Sequence, residues 1–358
     1  MSPVATPRLA SLPPLVVGGI AVEPIVLAPM AGVSELPFRV LALDEGAGLA
    51  PTELVSAKSL ETGSARTEAY LRRDAARERP FVVQLFGGEP DALAEAARRA
   101  VDRGADVIDL NMGCPVPKIT KRAAGSALLL DLPRAARIVE AMARASGRPI
   151  SVKLRSGWDD TQVNAVEAAR TLERAGAALI AVHGRTRAQG YGGFADWSIV
   201  GAVKRAVAVP VVVNGDIDGP EAAERALEAS GADAIMVGRA ALGRPWIFRA
   251  FRAARRGVDR GVEVGSAPPT AAERAAIVIR HFDAHLAHHT PKLRAIHKFR
   301  RHLLWYSRGL ADHEAFRRAA LTLEDEAPLR AMIAAYFASA EPTGEDDAAE
   351  YDARSALG

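Results

Sequence analysis

Ala105-Asp-Val-Ile-Asp-Leu-Asn-Met-Gly-Cys-Pro115 is the stretch on which the reading of this chain turns. Its first half is a short apolar run, of the kind that forms a strand buried on both faces. Its second half breaks into a loop punctuated by Gly and Pro. That loop carries Cys114, the single cysteine of 358 residues. Lys118, Lys121 and Gly125-Ser-Ala-Leu128 follow directly. A thiol just past a strand end sits where α/β proteins keep their chemistry. A lone cysteine is, however, more often a small buried apolar residue. The weight of the stretch therefore depends on its surroundings.

Working outward, the strand ending at Met112 is one of eight similar runs. The sequence predicts strands over 25–30, 49–55, 81–86, 107–112, 150–155, 179–185, 211–216 and 234–239. Most are rich in Val, Ile and Leu. Between them lie Ala/Arg/Glu-rich stretches with helical spacing, such as 90–103, 132–145, 160–175 and 219–229. Asp91, Asp131 and Asp218 stand near helix starts, and Gly104, Gly147, Gly176 and Gly231 near helix ends. Strand and helix alternating eight times predict an α/β fold, a closed (β/α)8 TIM barrel. The alternative is an open doubly wound sheet; no Gly-x-Gly-x-x-Gly opens the first helix, which weighs against it.

After about residue 256 the strands stop. The sequence predicts a catalytic barrel over 1–256, a linker over 257–269, a small all-α helical domain over 270–340 and an acidic, disordered tail over 341–358. Net charge is +3. The tail holds six acids against one base, so the rest of the chain is strongly basic. That balance is compatible with nucleic acid and equally with a merely soluble surface. One cysteine excludes an intramolecular disulfide and any multi-cysteine metal site. No signal peptide or membrane-spanning run is recognisable, and a cytoplasmic protein is expected.

The predicted strand ends are unusually polar: Glu53, Gln84, Asn111, Lys153 with Arg155, His183 with Arg185, Asn214 with Asp216, and Gly238 with Arg239. Period-two alternation sets Lys153 and Arg155 on one face and Val152 and Leu154 on the other. In a barrel the polar members then converge on the mouth, where such sites lie. Taken singly, Glu53 and Asp216 are explained as ion-pair partners, and His183 as a satisfied core histidine. Together they suggest an anionic or electron-rich ligand. Asn214-Gly-Asp216 and Val237-Gly-Arg239 close the seventh and eighth strands, where barrels bind phosphate through backbone N–H groups. A phosphate there, with a ring over the mouth, suggests flavin mononucleotide (FMN).

These residues and their order resemble the tRNA-dihydrouridine synthases. The matching pieces are Leu27-Ala-Pro-Met-Ala-Gly-Val33, Gln84-Leu-Phe-Gly87, Asn111-Met-Gly-Cys-Pro115, Lys153-Leu-Arg155, His183-Gly-Arg-Thr-Arg187, Asn214-Gly-Asp-Ile217, and Gly238-Arg239 with Gly243-Arg-Pro-Trp246. The resemblance spans roughly residues 18–310 and points to the bacterial general branch. It implies a flavoenzyme in which FMN, reduced by NADPH in preference to NADH, passes hydride to a uracil of tRNA. It implies that Ala28, Pro29, Met30, Gln84, Lys153 and His183 contact the flavin and that Asn214, Gly215, Asp216, Gly238 and Arg239 hold its phosphate. Asn111, Arg155 and Arg185 would face the flipped-out uracil, and Cys114 would be the general acid. The implied partner is tRNA in its D-loop region; separately from the resemblance, a monomer is expected.

In the helical segment Lys298, Arg301 and Trp305 are spaced to share one helix face, within a wider set of bases around Trp305 and Tyr306. Basic and aromatic residues together suit phosphate contact and base stacking, whereas the plainer reading is a solvated helix with Trp305 in its core. Two rival functions stay open: a flavin barrel acting on a small pyrimidine or enone, and a barrel that binds RNA without catalysis. Cys114, Lys153 and His183 argue against the second.

Overall fold

The computed structural model describes residues 7–256 and 268–343. Most of the expected 257–269 linker and of the expected acidic tail lies outside the described residues. Eight strands form one parallel sheet: β1 (Ile25–Leu27), β2 (Val55–Ser56), β3 (Val82–Phe86), β4 (Val107–Met112), β5 (Ile150–Arg155), β6 (Ala177–His183), β7 (Val211–Asn214) and β8 (Ala234–Val237). Each pairs with its sequence neighbour from β2 to β8, and β8 pairs with β1. Closure is completed where Leu49, ahead of β2, bridges Val26. The result is the (β/α)8 barrel expected from the alternation.

Alternation along the strands separates two layers. Ile108, Leu110, Met112, Val152, Leu154, Ile180 and Val182 point outward into the large core shared with the surrounding helices. Val26, Val82, Val107, Leu179, Val212 and Ala234 point inward and fill the barrel floor. A short antiparallel hairpin, Leu15–Val17 with Ile20–Val22, adds Leu15 and Val17 to that floor. Above it the inward positions become polar. Arg155 pairs in register with His183, His183 with Asn214, and Asn214 with Met236.

The outer layer includes α1 (Leu36–Asp44), α2 (Pro90–Asp102), α3 (Leu132–Ser146), α4 (Ala165–Arg174), α5 (Trp197–Ala206), α6 (Pro220–Ser230) and α7 (Ile247–Arg256). Asp131 caps α3 by accepting the Arg134 N–H at 3.0 Å, and Gly147 ends it in the left-handed region at φ 60°. One helix is shorter than the sequence predicts. The segment expected to be helical from Asp160 instead begins at Ala165, because the Asp159 carboxylate accepts the N–H groups of Thr161 and Gln162 and folds a tight turn. The strand expected over 49–55 is reduced to the Leu49 bridge and the two residues of β2.

Four helices follow: α8 (Ala271–His288), α9 (Lys292–Tyr306), α10 (His313–Thr322) and α11 (Glu326–Ser339). They bury a second core around Phe282, Phe299, Leu329, Ile333 and Phe337. Thr270 and Glu273 form a capping box at the start of α8. Trp305 of α9 belongs to the barrel core instead. Buried Glu45 takes Arg249 from α7 and Arg280 from α8, tying the two parts together. Among the described residues no helix is long and apolar enough to cross a membrane.

Candidate active site

The polar strand ends open into a cleft of about 960 Å³ between the barrel mouth and the helical region. That is near the upper end of small-molecule pockets, ~300–1,000 Å³. Ala28, Pro29, Met30, Asn111, Cys114, Lys153, Arg155, His183, Arg185, Asn214, Gly215, Asp216, Gly238 and Arg239 all line it. Gln84, Lys298 and Arg301 do not.

Gln84 lies beneath the wall in a chain of amides and carboxylate. Its side-chain nitrogen donates to Asp109 at 2.6 Å, and its oxygen accepts from the Asn111 side chain at 3.0 Å. Ser151 donates to the other Asp109 oxygen at 2.6 Å. The Asn111 oxygen, so oriented, accepts the N–H of Cys114 at 3.0 Å and of Gly113 at 3.3 Å. Behind the cysteine, Ser126 donates to the Cys114 carbonyl through both its N–H and its hydroxyl. Gly125 fits there at φ 62°, where a Cβ would come within 2.9 Å of that same carbonyl. The Cys114 loop is therefore fixed from both sides. Burial pushes its thiol above the ordinary range, so it is protonated at neutral pH.

Lys153 faces the same space with no hydrogen bond or ion pair among the described residues. Burial, aided by the Arg155 charge, pulls its ammonium down to about 8. Burial first, then Arg155, Lys153, Arg185 and Arg239, hold His183 neutral. Arg155 spends its donors on the carbonyls of Gly113, Thr186 and Gly190, at 2.8–2.9 Å. Arg185 does likewise with Gly192 and Gly193 and pairs with Asp216 at 2.8 Å. Both arginines thus fasten the loop after β6 while forming part of the cleft wall. Asp216, at φ 54°, also takes Arg239 at 3.0 Å and the Ala195 N–H at 2.8 Å. Its charge is consumed by two guanidinium groups. The Arg155 and Arg239 guanidinium groups lie over the Tyr191 ring, 5.6 and 5.1 Å from its centre.

The donor set fits a phosphate-bearing planar group. The Lys153 ammonium, unpaired among the described residues, and the Arg239 guanidinium line the cleft. At Gly238 an added Cβ would meet only the Ala28 side chain, at 3.6 Å, and at Gly113 nothing closer than 3.5 Å. Those two glycines leave open ground against the backbone for a flat ring and a phosphate.

The helical region closes one side of the cleft with Arg274, Trp305 and Arg308. Lys298 lies elsewhere: its ammonium pairs with the Glu35 carboxylate at the start of α1, which His289 also contacts. Burial raises the Glu35 pKa, but the His289 and Lys298 contacts outweigh it and hold the group ionised. Arg301 is half-buried. Lys298 and Trp305 of α9 therefore turn toward the barrel.

Two features, Phe194 and Glu35, were not singled out from the sequence as site elements. Phe194 stands 88 % exposed on the cleft rim. Glu35 is buried, and only its position ahead of Leu36-Pro37 hinted at a helix start. Glu53 did not find the basic partner expected of it: one of its oxygens has none, and burial, reinforced by the Glu35 charge, pushes it up to about 8.

Comparison with known proteins agrees with this architecture. A family model described as dihydrouridine synthase matches residues 26–340. The chain is 40% identical over 328 residues to tRNA-dihydrouridine synthase B of Pseudomonas aeruginosa, covering 91% of this chain and 96% of that one. It is 39% identical over 325 residues to tRNA-dihydrouridine synthase B of Xanthomonas axonopodis pv. citri, covering 90% and 95%. Among solved structures, histamine dehydrogenase from Rhizobium sp. 4-9 superposes with a TM-score of 0.54 at 12% identity, over 77% of this chain and 51% of that one, a likeness of fold alone. With a family model spanning its barrel and its helices, and relatives matched nearly end to end, the chain belongs to the dihydrouridine synthase family.

Proposed function

We propose that this protein reduces uridine in tRNA to dihydrouridine, using FMN, NADPH in preference to NADH, and Cys114 as the proton donor. The observation that carries the reading is the meeting of a protonated buried thiol and an unpaired ammonium in one cleft, walled on one side by the helical region. When bound, FMN supplies hydride, received from NADPH and delivered to C6 of the uracil; the chain's own residues do the rest.

Ala28, Pro29 and Met30 form the flat wall against the ring. Lys153 and His183 flank it. Asn214, Gly215, Gly238 and Arg239 meet the phosphate, while Asp216 aims Arg239 and Arg185. Gln84 sets the Asn111 amide from beneath. At the uracil, Cys114 Sγ gives its proton to C5: the S–H bond breaks as C5–H forms. Charge developing on the uracil oxygen falls to Lys153 and Asn111. Arg155 and Arg185 shape the uracil pocket by holding the loop that carries Tyr191 and Phe194. The uridine leaves its stack to enter, at a cost of a few kcal/mol, and exposed Phe194 offers a stacking surface at the entrance. Arg274, Trp305 and Arg308 meet the tRNA near its D-loop; Lys298 and Arg301 set how α9 sits on the barrel. The protein acts as a monomer in the cytoplasm.

The test is anaerobic. The flavin is reduced with NADPH, tRNA lacking dihydrouridine is added, and reoxidation is followed. Nuclease digestion and mass spectrometry then locate a two-hydrogen gain on uridine. Reoxidation by free uracil or orotate, with none by tRNA, would replace this reading with the small-substrate enzyme.

A further inference from the structure

All but His183 of the chain's eight histidines lie in the helical region, and three of them converge in its interior. His281 and His285 come from α8 and His302 from α9. One nitrogen from each lies within 4.8 Å of the other two. Each ring also keeps one buried nitrogen with no hydrogen-bond partner among the described residues: Nε2 of His281, Nε2 of His285 and Nδ1 of His302. Buried polar atoms are rarely left so, and three together call for a shared partner. None of the three residues lines the cleft.

We propose that His281, His285 and His302 bind a zinc-class divalent metal ion that staples α8 to α9. The ring centres are 6.2, 4.5 and 5.8 Å apart. Imidazoles converging on a tetrahedral ion at ~2.0–2.1 Å have centres about 5 Å apart, so small rotations complete the site. The outer nitrogens are arranged as metal-binding histidines require. His281 Nδ1 meets the Tyr306 hydroxyl at 3.0 Å, and His285 Nδ1 faces the Glu35 carboxylate at 3.9 Å. Burial keeps all three rings neutral, the form that ligates. The surroundings are aromatic: Phe38 of α1 lies 5.5 Å from His281 and 6.0 Å from His302, and Phe299 packs on all three rings. Three nitrogen ligands in such a shell suit zinc over magnesium or calcium. The neighbouring group of Glu35, His288 and His289 is the weaker candidate, because the Glu35 carboxylate is already taken by His289 and Lys298.

The test uses the untagged full-length holoprotein, dialysed after exposure to one equivalent of zinc. Elemental analysis is expected to find one zinc per chain, and H302N to retain less than about a tenth of it. X-ray absorption at the zinc edge of the wild-type protein reads the ligands without any variant, and three imidazoles are expected. Wild-type protein that loses its zinc on dialysis overturns the proposal and leaves a buried water as the shared partner. Zinc retained equally by H302N, or held by fewer than three imidazoles, overturns it as well.

Discussion

Gly243, after β8, packs directly against the backbone of α9, which makes Gly243→Ala an informative perturbation. The residue sits at φ 71°, and a Cβ there would lie 2.3 Å from the carbonyl carbon and oxygen of Trp305 and 2.7 Å from the Tyr306 nitrogen. These are backbone atoms of α9, so no side-chain rotation relieves the clash. Holding alanine in the left-handed region costs about 1–2 kcal/mol, and forcing a methyl into a filled contact about 1–3 kcal/mol more. The total, about 2–5 kcal/mol, is met by lifting α9 off the barrel. Trp305 and Arg308 would then leave the cleft wall, while Lys153, His183 and Gly238 stay in place. The expected outcome is a split. Flavin content and NADPH oxidation by an artificial electron acceptor change less than about twofold, whereas kcat/KM on tRNA falls more than about 10-fold, equivalent to about 1.4 kcal/mol or more. Stopped-flow reduction of the flavin and single-turnover reoxidation by tRNA separate the two halves. A variant with unchanged melting temperature and unchanged tRNA turnover would refute the claim that this contact seats the helices.

Cys114→Ala is expected to retain flavin and slow uridine reduction by about 100-fold or more, the size of a lost general acid, read by single-turnover reoxidation. Phe194→Ala removes an exposed ring, so melting temperature and flavin reduction should hold while kcat/KM on tRNA drops about 5- to 100-fold, as for lost base stacking. For Lys153 the sign follows from its pKa, lowered by burial from 10.5 to about 8. Between those values the unfolded chain binds more protons than the folded one, so the stability of flavin-free protein rises with pH across that window. Lys153→Met should abolish this slope in denaturant titrations run at several pH values, raise stability at pH 7 and weaken flavin binding.

The barrel was legible because its strands advertise themselves twice, as apolar runs and as polar ends. Lys153 and Arg155 could be set on one face from the sequence because alternation is a local rule. The partners of those side chains are not local. Nothing near Arg185 in sequence shows that its guanidinium is spent on Gly192, Gly193 and Asp216, or that Gln84 is covered by Asp109 and Asn111. The helix face of Lys298 and Trp305 was correctly drawn, but its direction depends on the barrel beneath it and on Glu35, 263 residues away. Phe194 was overlooked for the opposite reason. It lies in a Gly-rich loop with no periodicity, and only its exposure beside a cleft gives it meaning.

The hydrogen-bonded chain from Ser151 through Asp109, Gln84 and Asn111 to the Cys114 backbone has a consequence for who moves. A loop whose Cys114 N–H is held by Asn111 and whose carbonyl is clamped from behind by Ser126 leaves the backbone that carries the thiol little slack with which to search for a target. On the proposed reading, in which Cys114 gives the proton, the donor loop is stationary and travel is delegated to the nucleic acid. Every nucleotide that reacts must be deformable enough to reach a fixed point. Selection among uridines then becomes a matter of RNA mechanics as much as of recognition: loosely stacked positions are reached cheaply, and rigid ones are ignored even when their bases are chemically identical.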